Sequence, residues 1–74
     1  MPKLPVISGR EARLGFEKLG WVFDRQRGSH MILTKAGVAA NLSVPDHREL
    51  DRGLLRALIC DAGVTPEQSV EVLR

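Results

Sequence analysis

The residues best suited to chemistry lie around RQRGSHMIL, positions 25–33. His30, one of two histidines in the chain, follows directly on Gly28 and Ser29. A histidine near neutral pH is a common general base, and neighbouring cations can stabilise charge developing on a phosphate. The nearest cations in the sequence are Arg25, Arg27 and Lys35. The ordinary alternative for a lone histidine is packing at the start of a strand with backbone partners, and both interpretations stay open here.

The sequence disfavours a metal site. Two histidines and no cluster of carboxylates leave no typical ligand spacing, and Asp46 beside His47 is the one local pair. The single cysteine, Cys60, cannot form a disulfide within the chain, and its apolar neighbours predict a buried, reduced thiol. Neither a signal peptide nor an apolar run of membrane-spanning length is recognisable. We therefore expect a soluble, cytoplasmic protein without a metal or cofactor.

The segment ISGREARLGFEKLGW, residues 7–21, predicts a helix with both ends marked. Ser8 is the expected N-cap, and Glu11 stands three residues later, which together form a capping box. Apolar residues recur at helical spacing from Ala12 to Leu19. Gly20 follows as the expected left-handed residue after the helix.

Three short strands are predicted to follow, at residues 21–25, 29–35 and 39–44. The turns between them contain glycine and are too short for a parallel crossover, so the strands form an antiparallel meander. Pro45 should end the third strand because it has no amide hydrogen to donate. Both faces of the second strand carry apolar side chains, Met31 and Leu33 on one and Ile32 on the other. The alternation of side chains therefore does not decide which way His30 points.

Two helices are predicted after the sheet, at residues 51–63 and 65–73. Thr65 should cap the second one, with Pro66 at its first position and Gln68 completing another capping box. The order helix, three strands, helix, short helix is typical of a two-layer α+β domain with helices on one face of the sheet. We expect residues 1–74 to form this single domain, with its function on the open face because so short a chain cannot enclose a large cavity.

The second histidine, His47, should lie near the first if the predicted register is right. Residue 44 or 45 of the third strand then lies opposite residue 29 or 30 of the second. His47 could therefore approach His30 and act as a general acid or a phosphate ligand. The alternative is that His47 caps its own loop through a backbone hydrogen bond, and this alternative is favoured.

Charge is distributed unevenly along the chain. The formal net charge is +2, but residues 1–35 hold seven Lys and Arg against three carboxylates, and residues 36–74 hold four against six. The positive charge is thus concentrated in the half that contains His30, which weakly indicates an anionic partner. Aromatic residues that could stack on nucleic-acid bases are few: Phe16, Trp21 and Phe23.

Four pieces of the sequence together resemble the HicA (YcfA-like) family of toxin mRNA interferases. They are the Ser-Gly opening of the first helix, the RQRGSH hairpin, the VPDH exit of the third strand, and GLLRALICDAG in the second helix. They occur in the family's order and spacing from about Ser8 to about Val72. The chain differs in having Leu54 where many members have threonine or serine, and Met31 where some have a second histidine.

The resemblance implies a fold like the double-stranded RNA-binding domain and a metal-independent endoribonuclease that cleaves mRNA. It implies that the catalytic histidine is the one in GSH, which is His30 here, and that a HicB-type antitoxin covers the site. Candidate RNA-binding residues are those of the hairpin and its flanks: Arg25, Arg27, Gly28, Ser29 and Lys35. The alternatives are a non-catalytic RNA-binding module, a protein-interaction domain, and a toxin copy that has lost its activity.

Overall fold

A computed structural model of the protein describes residue 4 and residues 6–73. The elements, in chain order, are α1 (Gly9–Lys18), β1 (Val22–Arg27), β2 (His30–Lys35), β3 (Val38–Pro45), α2 (Arg52–Asp61) and α3 (Pro66–Leu73). The strands form one antiparallel sheet in the order β1-β2-β3. The predicted α+β class is confirmed, and the layout is consistent with that of a double-stranded RNA-binding domain.

The helices α1 and α3 begin where the capping residues predict, whereas α1 and α2 end at Lys18 and Asp61, earlier than the predicted residues 21 and 63. The Ser8 hydroxyl accepts a hydrogen bond from the Glu11 amide at 3.1 Å, and the Glu11 carboxylate accepts one from the Ser8 amide at 3.0 Å. Thr65 and Gln68 make the same reciprocal pair before α3. Each box satisfies amides that the first helical turn leaves without partners. The capping predictions are therefore confirmed.

The hairpin between β1 and β2 is tighter than predicted. β1 continues to Arg27, which pairs with His30, so the turn consists of Gly28 and Ser29 alone. Gly28 has a φ of +58° and Ser29 does not have a positive φ, as in a type II′ turn. The predicted end of β1 at residue 25 was wrong, because this turn needs only two residues.

The third strand also extends further than predicted. It begins at Val38 and includes Pro45, whose Cα is the register partner of His30. The prediction that residue 44 or 45 lies opposite residue 29 or 30 is confirmed. The strand ends at Pro45, as predicted, and just beyond it the Asp46 amide donates a 2.6 Å hydrogen bond to the Ser29 carbonyl.

One face of the sheet holds the hydrophobic core. Met31 and Leu33 of β2 point toward the helices and are buried against residues such as Phe16 and Leu55. Trp21, between α1 and β1, is only 2% exposed and belongs to the same core. Because side chains alternate along a strand, the residues between these core positions must point the other way.

The start of α1 lies directly against the end of β3. The Gly9 amide donates to the His47 carbonyl at 2.9 Å, and the Leu50 amide donates to the Ile7 carbonyl at 2.8 Å. A Cβ on Gly9 would overlap the carbonyl oxygen of Pro45. The glycine therefore permits an approach of helix to strand exit that no other residue type allows.

Candidate functional site

His30 begins β2 and points away from the helices. Its strand neighbour Met31 lies in the core, whereas His30 itself is exposed on the open face. Its ring makes no side-chain hydrogen bond with the residues that the structure describes. The interpretation of His30 as a packed histidine with backbone partners is thus not supported, because the residue is exposed to solvent.

Arg27 is the cation closest to His30 in the sheet. The two residues are directly paired across β1 and β2, which places their Cβ atoms about 5 Å apart on one face. Together with Ile32 and Ser43 they line a shallow depression of about 360 Å³. Arg27 forms no ion pair within the described part of the chain, so its guanidinium is available to an anion in this depression.

The other predicted cations are placed less favourably. Arg25 forms an ion pair with its neighbour Asp24. Lys35 lies at the opposite end of β2 from His30, roughly 17 Å along the strand, and its side chain is close to Gly20. Of the three cations, the structure thus brings only Arg27 directly beside His30.

Gly28 and Ser29 form the tip of the hairpin next to His30. Nothing lies within 4 Å of the position where a Gly28 Cβ would be. The glycine thus serves the turn through its positive φ and leaves the backbone of the tip open to approach by a ligand.

His47 does not line the depression that contains His30. It lies beyond the end of β3, exposed, in a second depression with Ser8, Arg10 and Arg48. Its side chain makes no hydrogen bond within residues 4 and 6–73, and the loop is held instead by backbone hydrogen bonds such as Gly9 to His47. The two histidines flank the same end of the sheet from different depressions.

The burial of the aromatic residues and of Cys60 decides whether they can act as expected. Phe16 and Trp21 lie in the core, and Phe23 is partly buried with the guanidinium carbon of Arg13 4.1 Å from its ring centre. The open face therefore offers no aromatic platform for bases from these three residues. Cys60, predicted to be buried, is exposed on α2, because its position falls outside the apolar stripe of Leu55, Leu58 and Ile59.

Neither metal ligands nor a membrane span stand out in the described ranges. Among residues 4 and 6–73, no three His, Cys, Asp or Glu side chains are grouped so that they could hold a metal ion. None of the helices in the same part of the chain is both long enough and apolar enough to cross a bilayer.

The arrangement defines a small two-layer α+β protein whose exposed histidine and arginine occupy the uncovered face of its sheet. A family model described as the HicA toxin of bacterial toxin–antitoxin matches residues 9–64, which include all three strands and α2. No protein with a curated description matches the chain. The chain belongs to the HicA toxin family, so it is the toxin component of a toxin–antitoxin system and has an antitoxin as its partner.

Proposed function

We propose that this toxin is an mRNA endoribonuclease in which His30 is the general base. The single observation that supports the proposal best is the exposed His30 ring beside Arg27 in one depression of the open face. A surface depression suits a polymer substrate, which brings its own scissile bond to the enzyme and needs no enclosing cavity.

The proposed reaction uses a nucleophile that RNA contains itself. A ring nitrogen of His30 takes the proton of the 2′-hydroxyl, and the 2′-oxygen attacks the adjacent phosphorus. The bond between phosphorus and the 5′-oxygen then breaks. The leaving 5′-oxygen takes a proton from water, and the products are a 2′,3′-cyclic phosphate and a 5′-hydroxyl. No metal is required for any of these steps.

Arg27 is the residue that we assign to the phosphate. Its guanidinium can donate hydrogen bonds to the non-bridging oxygens, whose negative charge increases as the 2′-oxygen attacks. Gly28 and Ser29 place the hairpin backbone close to the same phosphate. Arg25 and Lys35 are further candidate contacts to RNA outside the cleaved bond, with Arg25 weakened by its ion pair with Asp24.

We assign the antitoxin to the HicB type, acting in the same cytoplasm as the mRNA. An antitoxin that covers the open face of the sheet would block RNA from His30 and Arg27 together. The antitoxin need not distort the toxin, because the site is already on the surface.

The test is induction of the wild-type chain and of His30→Ala in bacteria, with growth and the integrity of one reporter mRNA as readouts. The wild type should stop growth and degrade the message, and His30→Ala should do neither at equal soluble level. His47→Ala is the matched control for the loss of a histidine, and it should retain toxicity. If wild type and His30→Ala are equally harmless and the message stays whole, the chain is an RNA-binding module or an inactive copy, and the proposal fails.

A further inference from the structure

A groove runs along the exposed side of α1 at the same end of the sheet as His30. It consists of two adjoining depressions, of about 330 and 380 Å³, which share Arg10 and Asp46 as lining residues. We call it the α1 groove. Its polar lining comes from Ser8 and α1, from Gln26 of β1, and from the segment after β3. The charged and histidine side chains among them are Arg10, Arg13, Asp46, His47 and Arg48.

The α1 groove carries an excess of positive charge. Three arginines line it against one carboxylate, Asp46. Arg10 bonds Asp46 through Nε at 3.2 Å, yet 79% of its side chain is exposed, so its terminal nitrogens face solvent. Arg48 forms no ion pair with the residues that the structure describes. These two arginines can therefore take anions from solution.

Arg13 contributes to the groove in a different way. Its Nε lies 3.5 Å from a carboxylate oxygen of Glu17, and its guanidinium carbon stacks over Phe23. Both contacts hold the side chain in place. Arg13 therefore lines the groove, and we do not propose that it binds an anion.

The groove and the His30 depression are on opposite faces of one sheet end. Gln26 and Met31 line the groove, while their chain neighbours Arg27 and His30 line the depression. Alternation along β1 and β2 produces this division. A hydrogen bond from the Asp46 amide to the Ser29 carbonyl joins the two regions. An extended polymer that passes over this end of the sheet would contact both the α1 groove and the His30 depression.

We propose that the α1 groove binds the phosphate backbone of the RNA strand outside the cleaved bond, with Arg10 and Arg48 contacting phosphates. This inference rests on the proposed function, because it extends the path of the same substrate. The buried aromatic residues leave charge as the main source of affinity, so binding should be strongly salt-dependent and insensitive to base sequence. Short RNA would occupy the His30 depression alone, and longer RNA would also reach the groove.

The test measures RNA binding in the His30→Ala background, where the RNA stays intact. The probes are fluorescent oligouridylates of roughly 4 and roughly 16 nucleotides. Replacing both Arg10 and Arg48 by Gln should weaken binding of the longer probe about tenfold. The slope of log affinity against log salt should become shallower by about 0.7 for each arginine removed. Binding of the short probe should be unchanged.

Two controls separate site-specific loss from general effects. Replacing both Arg52 and Arg56 by Gln removes the same two charges from exposed positions of α2 and should leave both probes unaffected. Arg10→Lys keeps the charge and should restore most of the affinity that Arg10→Gln loses. Equal thermal unfolding of all variants excludes misfolding as the cause.

Three results would overturn the proposal. The first is unchanged affinity of the longer probe in the double variant. The second is an equal loss when both Arg52 and Arg56 are replaced by Gln, which would mean that net charge alone matters. The third is that the double variant binds polyglutamate more weakly than the parent protein but binds RNA equally well. That result would assign the groove to an acidic protein segment. None of these results bears on cleavage by His30, which is tested separately with the unsubstituted chain.

Discussion

Replacing Gly9 by alanine should destabilise the protein far more than a single methyl group suggests. The added Cβ would overlap the Pro45 carbonyl oxygen, and it would lie 2.9 Å from the carbonyl carbon of Pro45 and 3.2 Å from the amide nitrogen of His47. All three are backbone atoms, so no side-chain rotation relieves the overlap. The helix start and the strand exit would have to separate by about 1.5 Å to restore ordinary contact distances.

The cost follows from two terms. Forced overpacking of this kind costs about 1–3 kcal/mol. The separation also stretches the 2.9 Å hydrogen bond from the Gly9 amide to the His47 carbonyl, and an unsatisfied buried group costs about 1–3 kcal/mol. Alanine regains at most about 1 kcal/mol through its higher helix propensity. We expect a net loss of about 2–4 kcal/mol, or a decrease in Tm of about 10–25 °C.

Urea and thermal unfolding of Gly9→Ala against the wild type measure this loss. Gly53→Ala is the matched control, because Gly53 also lies in the first turn of a helix and the nearest atom to its added Cβ belongs to the Asp51 side chain, at 3.0 Å. That variant should stay within about 1 kcal/mol of the wild type. If Gly9→Ala also unfolds within about 0.5 kcal/mol of the wild type, the close contact between α1 and β3 does not exist in solution.

Single substitutions can also check the charge, the pH dependence and the turn geometry of the structure. Arg27→Gln should lower the rate of RNA cleavage by the purified protein about tenfold or more, whereas Arg56→Gln should not. The backbone and hydroxyl of Ser8 hold the pKa of Glu11 below its ordinary value of 4.5. The stability that this carboxylate contributes is therefore complete above pH 4.5, and it is lost as the pH falls through the lowered pKa of the folded state. Urea unfolding should show a difference between the wild type and Glu11→Gln that shrinks in acid; a difference that grows in acid would contradict this sign. Gly28→Ala should cost about 1–2 kcal/mol in urea unfolding through its φ of +58° alone, and Gly28→Asn should cost less.

Local signals in the sequence predict most of the fold. Capping pairs such as Ser8 with Glu11 act within a few residues, so they can be recognised without knowledge of the rest of the chain. The antiparallel meander follows from turns that are too short for a crossover, and its register brings Pro45 opposite His30 as expected. The ends of the strands were predicted less well, because the sequence does not show which pair of residues closes a two-residue turn.

Features of the site that depend on distant parts of the chain could not be predicted. The direction of His30 depends on which face of β2 the helices cover, and apolar residues on both faces hide this. Lys35 is near His30 in sequence but lies at the other end of the strand. The α1 groove joins Arg10 to Arg48 across the fold, and the glycine that allows this approach, Gly9, looks like an ordinary first helical residue.

The central claim is that His30 removes a proton from the RNA itself, and cleavage by purified protein tests it most directly. Wild type, His30→Ala and His47→Ala are incubated with one RNA and with its 2′-deoxy counterpart, in buffer containing a metal chelator. We predict cleavage of RNA but not of its 2′-deoxy counterpart, with products ending in a 2′,3′-cyclic phosphate. His30→Ala should lower the cleavage rate by about 10²–10⁴, while His47→Ala should retain most of it. Equal cleavage by wild type and His30→Ala, or cleavage of the 2′-deoxy strand, would contradict the central claim.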